Sequence, residues 1–466
     1  SYAHYMEETK MSRKSYNMDM CNGPVLPKVI AFSLPLMLSG CLQLLFNAAD
    51  VIVVGRFAGK ESLAAVGSTS ALTNLLINLF IGLSIGTNVV VGHTLGSDDK
   101  EATKDNVHTA ISISFLSGFA LIIIGIIFTK PLLLWMGAPT DVLNKAAIYL
   151  KIIFIGMPAT MVYNFGSAIL RATGDTKRPL YFLFVAGIVN VILNLFFVIA
   201  LQMDVAGVAL ATILSQCISA ALILLCLSQI DGPCRLNLKK LYIHPTRLRR
   251  MMQIGLPAGI QSSLFSFSNV LIQSSINSFG SVVIAGNSAA ASVEQFVYIS
   301  MNAVHQATVS FTSQNTGARK PERINQILFS CLALVTGIGL FMGIGINLLG
   351  APLLSIYSPD PLVIEAGKIR LLWISLPYFL CGVMEIIMGI MRGLGYALTP
   401  MVVSLLGICL FRVIWLSTIF AWMPTQEILF VSYPITWLLT ALIHALTYLY
   451  ARKTHSLFRP TPSLSK

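Results

Sequence analysis

Arg171-Ala-Thr-Gly174-Asp-Thr-Lys-Arg-Pro179 recurs 221 residues later as Arg392-Gly-Leu-Gly395-Tyr-Ala-Leu-Thr-Pro400, with Arg, Gly and Pro at identical spacing. Each copy has the chemistry of a helix junction. A cation at a helix C-terminus faces the negative end of the dipole. Gly permits the left-handed turn after it, and Pro suits the first turn of the next helix. An architectural role for the motif is therefore expected. Moving outward, other landmarks repeat in the same order. Leu34-Pro35 pairs with Leu256-Pro257, Asn47 with Asn269, Gly96 with Gly317, Pro131 with Pro352 and Pro158 with Pro377. Ordered matches at a near-constant offset indicate a duplicated unit.

The sequence between the landmarks is apolar. Runs such as 111–128, 180–201 and 401–422 match the thickness of a bilayer core, which takes about 20 residues of helix. They lack the alternation of barrel strands. Charged residues make up only 11% of the chain, against roughly 25% in soluble domains. Twelve spans are expected, at 29–54, 65–94, 107–129, 147–170, 179–201, 206–228, 251–279, 283–313, 326–349, 368–391, 400–421 and 428–451. The fold class is thus an all-α polytopic membrane protein. Two pseudo-symmetric six-helix bundles flank a central cavity, with bundles at 29–228 and 251–451. A basic linker at 229–250 joins them, and tails occupy 1–28 and 452–466. Six spans per copy give both halves the same orientation, as in parallel-repeat transporters.

The net charge of +12 is explained by topology. Alternate gaps and tails, counted from the N-terminal tail, hold 23 of the 31 Lys and Arg. By the positive-inside rule both termini are expected in the cytoplasm, with the chain integral to a cell membrane. Nucleic acid is not an expected partner, because no basic face carries interleaved aromatics. The eight Cys show no metal spacing and read as free thiols. Residues 1–20 are polar, so no cleavable leader is expected. No Walker motif, HExxH or GxSxG occurs, which argues against an ATPase or a membrane enzyme.

Few ionisable groups fall inside spans, and such groups are functional candidates. The acids inside spans are Asp50, Glu294 and Glu385, and Arg412 is the lone clear intramembrane cation. Asp50 lies six residues before Arg56, or ~9 Å below one edge. Asn190 and Asn194, four apart, share a face of span five. Asn194 and Thr212 of span six reach depths of ~12 Å. Carboxylate, amide and hydroxyl oxygens are thus expected together, suited to sodium, or to a proton on Asp50 alone. The position matching Asp50 in the second copy is Ile272, so the halves are not equivalent. For Arg412 two readings stand. It pairs with Glu294 or Glu385, or a free Glu attracts cargo into the cavity. His93, His305 and His444 read as isolated, packed histidines.

Asn47-Ala-Ala-Asp50-Val-Ile-Val-Val-Gly55-Arg56, Leu63-Ala-Ala-Val-Gly67, Gly92-His-Thr-Leu-Gly96, Ser313-Gln-Asn-Thr-Gly317 and the two Arg-x-x-Gly…Pro units together resemble the multidrug and toxic compound extrusion (MATE) transporters, and within them the bacterial DinF-like branch. The resemblance covers about residues 25–452. It implies export of amphipathic, cationic organic compounds by alternating access, in exchange for sodium ions or protons and with no resident cofactor. A monomer surrounded by membrane lipid is implied. For the sites, it implies a cation-coupling set of Asp50, Asn190, Asn194 and Thr212, with Asn164 deeper. Glu294, Glu385 and Arg412 are left as cavity residues. Asn194 stands where some DinF-like members have Asp, leaving one carboxylate. The rival reading is a flippase for a lipid-linked saccharide, whose cavity should be basic. Three embedded acids against one Arg favour the cationic cargo.

Overall fold

The computed structural model describes residues 16–135 and 140–458. The expectations for the ends of both tails concern residues 1–15 and 459–466, which lie outside these. The described residues form helices joined by short turns, with no strand among them. Twelve passages follow in order: α1 (Val25–Ala58), α2 (Lys60–Gly96), α3 (Lys100–Trp135), α4 (Thr140–Ile155 with Met157–Ala172), α5 (Lys177–Ala200), α6 (Asp204–Gln229), α7 (Pro245–Asn277), α8 (Ser281–Gly317), α9 (Pro321–Leu348), α10 (Pro361–Gly393), α11 (Leu398–Phe420) and α12 (Gln426–Thr454). A short helix, Gly350–Ser355, links α9 to α10.

Ten of these are long and apolar enough to cross a bilayer, and α4, bent by 47° at Gly156, makes an eleventh. Pro158 beside the bend explains it, since proline cannot donate to the helix ladder. The exception is α7. It has the length, 33 residues, but its second half reads Gln261-Ser-Ser-Leu-Phe-Ser-Phe-Ser-Asn269. Protein and cavity, rather than lipid, surround that polar face. Lipid-facing surfaces elsewhere are apolar, as at Phe119, Ile123, Phe341 and Leu446, all exposed. Paired polar backbone inside each helix is what allows this in hydrocarbon.

The halves meet through glycines. A Cβ added at Gly82 would lie 2.2 Å from Gly259 N, and one at Gly86 would lie 2.3 Å from Met251 O. So α2 and α7 cross with backbone against backbone, which only small residues permit. At the end of α2, a Cβ on Gly96 would meet Gln314 O, and one on Gly317 would meet His93 O. Phe32 of α1 packs edge-on against Phe311 of α8. These contacts seal the halves together at the end that carries residues 229–250, called here the basic end. The cavities lie beyond the seal. Gly174 (φ +88°) and Gly395 (φ +99°) adopt the left-handed turn expected of the repeated motif.

Candidate functional site

Two polar regions lie inside the helix bundle. The first is built on α1, α5 and α6. Asn194 Nδ2 donates both to the Asp50 carboxylate and to Asn190 Oδ1, the latter at 3.1 Å. Asn190 Nδ2 reaches Thr212 Oγ1 at 3.5 Å, and Thr212 donates to Val208 O. The four residues form one connected chain because Asn190 and Asn194 project from the same buried face of α5. Asn194 is fully buried, yet its Oδ1 has no hydrogen-bond partner. A buried acceptor without a donor is costly in low dielectric. Next to a carboxylate, it is an oxygen that a bound cation would satisfy. Tyr149 of α4 packs against the Val53, Val54, Val198 and Val208 cluster of α1, α5 and α6.

Asn164 does not join this set. Its Nδ2 donates to Thr160 O within its own helix, and it lines the central cavity instead. The reason is register. Asn164 lies seven residues before Arg171, near the basic end of α4, whereas Tyr149 is the residue of α4 at the depth of Asp50.

The second region is the space between the halves. One chamber of about 420 Å³ takes its walls from both halves, including Asn164, Arg171, Tyr298, His305, Glu385 and Arg392. A second, of about 710 Å³, lies in the C-terminal half and shares Asn78, Ser262, Phe265, Tyr298 and Glu385 with the first. Arg412 lines it.

The structure corrects the expected pairing of Arg412. Neither Glu294 nor Glu385 is its partner. Glu294 is held by Arg370, with Nη2 to Oε2 at 2.7 Å and Nε to Oε1 at 3.1 Å. Arg370 Nη1 also donates to Asn287 Oδ1 at 2.5 Å. Arg412 instead stacks on Tyr433, with its guanidinium carbon 4.0 Å from the ring centre. Arg370 escaped the sequence reading because α10 begins at Pro361, seven residues before the expected edge. That is ~10 Å of helix, enough to move Arg370 from the rim into the bundle. The proline at 361, a favoured first helical residue, was the signal available.

Two further expectations change. Arg171 and Arg392 do close their helices, but their side chains turn into the cavity, and the Nε of each is buried without a partner. The histidines are packed but not isolated. His305 Nδ1 contacts Glu385 O at 2.7 Å and its carboxylate at 3.5 Å. His93 bridges the halves, with Nε2 on Gly393 O at 2.7 Å and Nδ1 beside Arg250. His444 meets Ser404 Oγ at 3.0 Å. The tally of three acids against one cation therefore does not describe the cavity. Glu294 is neutralised, Glu385 remains, and Arg171, Arg392 and Arg412 border the space.

A family model described as MatE matches residues 35–196 and again 257–416, once in each copy of the repeat. The chain is 29% identical over 385 residues to Probable multidrug resistance protein YoeA of Bacillus subtilis, covering 81% of this chain and 83% of the relative. It is 28% identical over 428 residues to Probable multidrug resistance protein YpnP of the same organism, covering 88% and 92%. Among solved structures, it superposes on a multidrug resistance MATE family transporter of the MOP superfamily, described as outward-facing. The TM-score is 0.85 at 22% identity, covering 95% of this chain and 98% of that one.

Proposed function

The chain belongs to the MatE family of multi-pass membrane transporters, and from that premise we propose that it is a secondary antiporter, exporting amphipathic organic compounds in exchange for sodium ions or protons that bind at Asp50. Family membership makes it a transporter and not an enzyme. The observation that carries the coupling proposal is the connected Asp50–Asn194–Asn190–Thr212 chain with the orphaned Asn194 Oδ1. Sodium needs several hard oxygens, and this cluster offers them; a proton needs only the carboxylate. The second half has Ile272 at the matching place, 1% exposed, so coupling rests with the first half.

With the basic end in the cytoplasm of a bacterial cell, the seal at Gly96 and Gly317 corresponds to an outward-facing state. Cargo is released from the central cavity while an external ion reaches Asp50. Ion entry then favours rocking of the halves about the glycine crossing of α2 and α7. One charge entering down ~100 mV supplies about 2.3 kcal/mol, a concentration ratio of roughly fifty. A cationic cargo would use Glu385, the carboxylate still available.

The test is efflux of ethidium from proteoliposomes, with sodium and pH gradients imposed one at a time. One gradient should drive accumulation, and Asp50→Asn should remove it. Uphill transport by Asp50→Asn would show that the coupling ion binds elsewhere.

A further inference from the structure

We propose that the central cavity holds the anionic group of its cargo, a carboxylate or phosphate, between Arg392 and Arg171 at the sealed end and Arg412 in the C-terminal chamber. This rests on the transport reading above and names a charge class for its cargo.

A guanidinium stays ionised inside a protein, and a buried charge needs a counter-charge or ligand. This protein supplies one where the charge is structural, as Glu294 and Asn287 do for Arg370. Arg412 is 5% exposed and Arg392 4%, and neither forms an ion pair among the described residues. Arg392 donates to one neutral acceptor, Gln261 Oε1, at 2.8 Å. The Nε atoms of Arg171, Arg392 and Arg412 are all buried and unpartnered. Glu385, the one carboxylate in the same space that is not already paired to an arginine, faces His305.

Outside the Arg370–Glu294 pair, three arginines against one acid line two connected chambers. Arg171 and Arg392 are matched positions of the repeat and approach from opposite halves. An anion between them would interact with both halves at once, and so would sense their rocking. The fork of N–H donors fits a carboxylate or phosphate two bonds at a time. Aromatic surface beside Arg412 suits the rest of an amphipathic molecule. Tyr433 lies under the guanidinium, and Trp437 packs against Tyr433 and Tyr378 at 5.7 and 5.1 Å.

The test measures binding to the purified full-length chain in detergent, by fluorescence anisotropy. Three probes are used: a fluorescein-type dicarboxylate, a fluorescent prenyl diphosphate and ethidium. The first two distinguish a soluble anion from a lipid-linked one. At least one anion should bind, and Arg412→Gln and Arg392→Gln should each weaken it about tenfold or more. Arg412→Lys should retain part of the affinity. Neither ethidium affinity nor the unfolding midpoint should fall. The proposal is overturned if neither anion binds, if the glutamine variants bind it normally, or if ethidium binding falls in parallel. Binding in detergent needs no gradient. Loss of gradient-driven efflux with anion binding intact would defeat the antiport reading and leave the site standing.

Discussion

Gly92 and Ser313 occupy matched places in the two copies of the repeat, 221 residues apart, and touch: a Cβ added at Gly92 would lie 2.7 Å from Ser313 Cβ. A residue that meets its own repeat mate lies on the pseudo-two-fold axis. The axis therefore passes between α2 and α8, and the paired contacts at Gly96 and Gly317 sit symmetrically beyond it. The sealed end is a self-complementary contact, and its opening should depend on both copies equally.

Gly96→Ala and Gly317→Ala each place a methyl group within 2.0 Å of a carbonyl oxygen on the opposite half. Overpacking of this kind costs about 1–3 kcal/mol, roughly a 5- to 150-fold shift away from the sealed state. Both variants should slow dye efflux in proteoliposomes to a similar extent. Gly337→Ala and Gly345→Ala, where a Cβ meets nothing within 4 Å, should transport normally. Equal rates in all four would remove the glycine seal from the cycle.

Asn194→Ala should raise the sodium concentration needed for half-maximal efflux, because it removes both the unpartnered Oδ1 and the amide joining Asp50 to Asn190. A lost hydrogen bond to a charged group is worth about 1.5–3 kcal/mol, so a shift of roughly tenfold or more is expected. Asn164→Ala should leave the ion dependence unchanged, since Asn164 lies in the other polar region. Efflux measured against ion concentration separates the two, and the assignment fails if Asn164→Ala shifts the curve as far.

Much of this was legible from residue spacing. The repeat announced two parallel halves, because matched Pro and Gly mark helix junctions that sequence drift does not easily erase. The Asp50 cluster was legible because depth along a helix follows from residue count, and Asn190 and Asn194 are four apart. What spacing does not encode is helix rotation about its axis and exact boundaries. Arg171 and Arg392 read as end caps, since nothing in the motif says that their side chains turn inward. Arg370 went unnoticed at the edge of an expected span that began two turns too late, which left Arg412 as the cation to match with Glu294 or Glu385.

Glu294→Gln should destabilise the C-terminal half sharply. It leaves Arg370, with 11% of its side chain exposed, without a counter-charge, and breaking a buried pair costs about 3–5 kcal/mol. Replacing both partners, as in Glu294→Gln with Arg370→Met, should recover much of the loss. Unfolding midpoints in detergent test this. If the single and double variants melt together, the pair is not structural.

Cys21 should report opening of the basic end. The segment before α1 is bound mainly to the opposite half. Asn315 Nδ2 donates to Met20 O at 3.0 Å, Lys320 Nζ to Cys21 O at 2.9 Å and Arg323 Nη1 to Gly23 O at 2.9 Å. The Cys21 thiol itself lies 3.7 Å from Gln314 Oε1. Separating α1 from α8 at this end must break or strain these bonds. Burial pushes the Cys21 thiol above its ordinary value, and the thiolate is the reactive form. In the sealed state, labelling by a membrane-impermeant maleimide should therefore be slow at neutral pH and quicken as pH rises. Opening relieves the burial and lowers the thiol toward its ordinary value, so labelling at neutral pH should quicken. Gly96→Ala should produce that increase at fixed pH, measured at Cys21 by peptide mass spectrometry. An unchanged Cys21 rate in Gly96→Ala, alongside impaired efflux, would mean that the segment travels with α8 and not with α1.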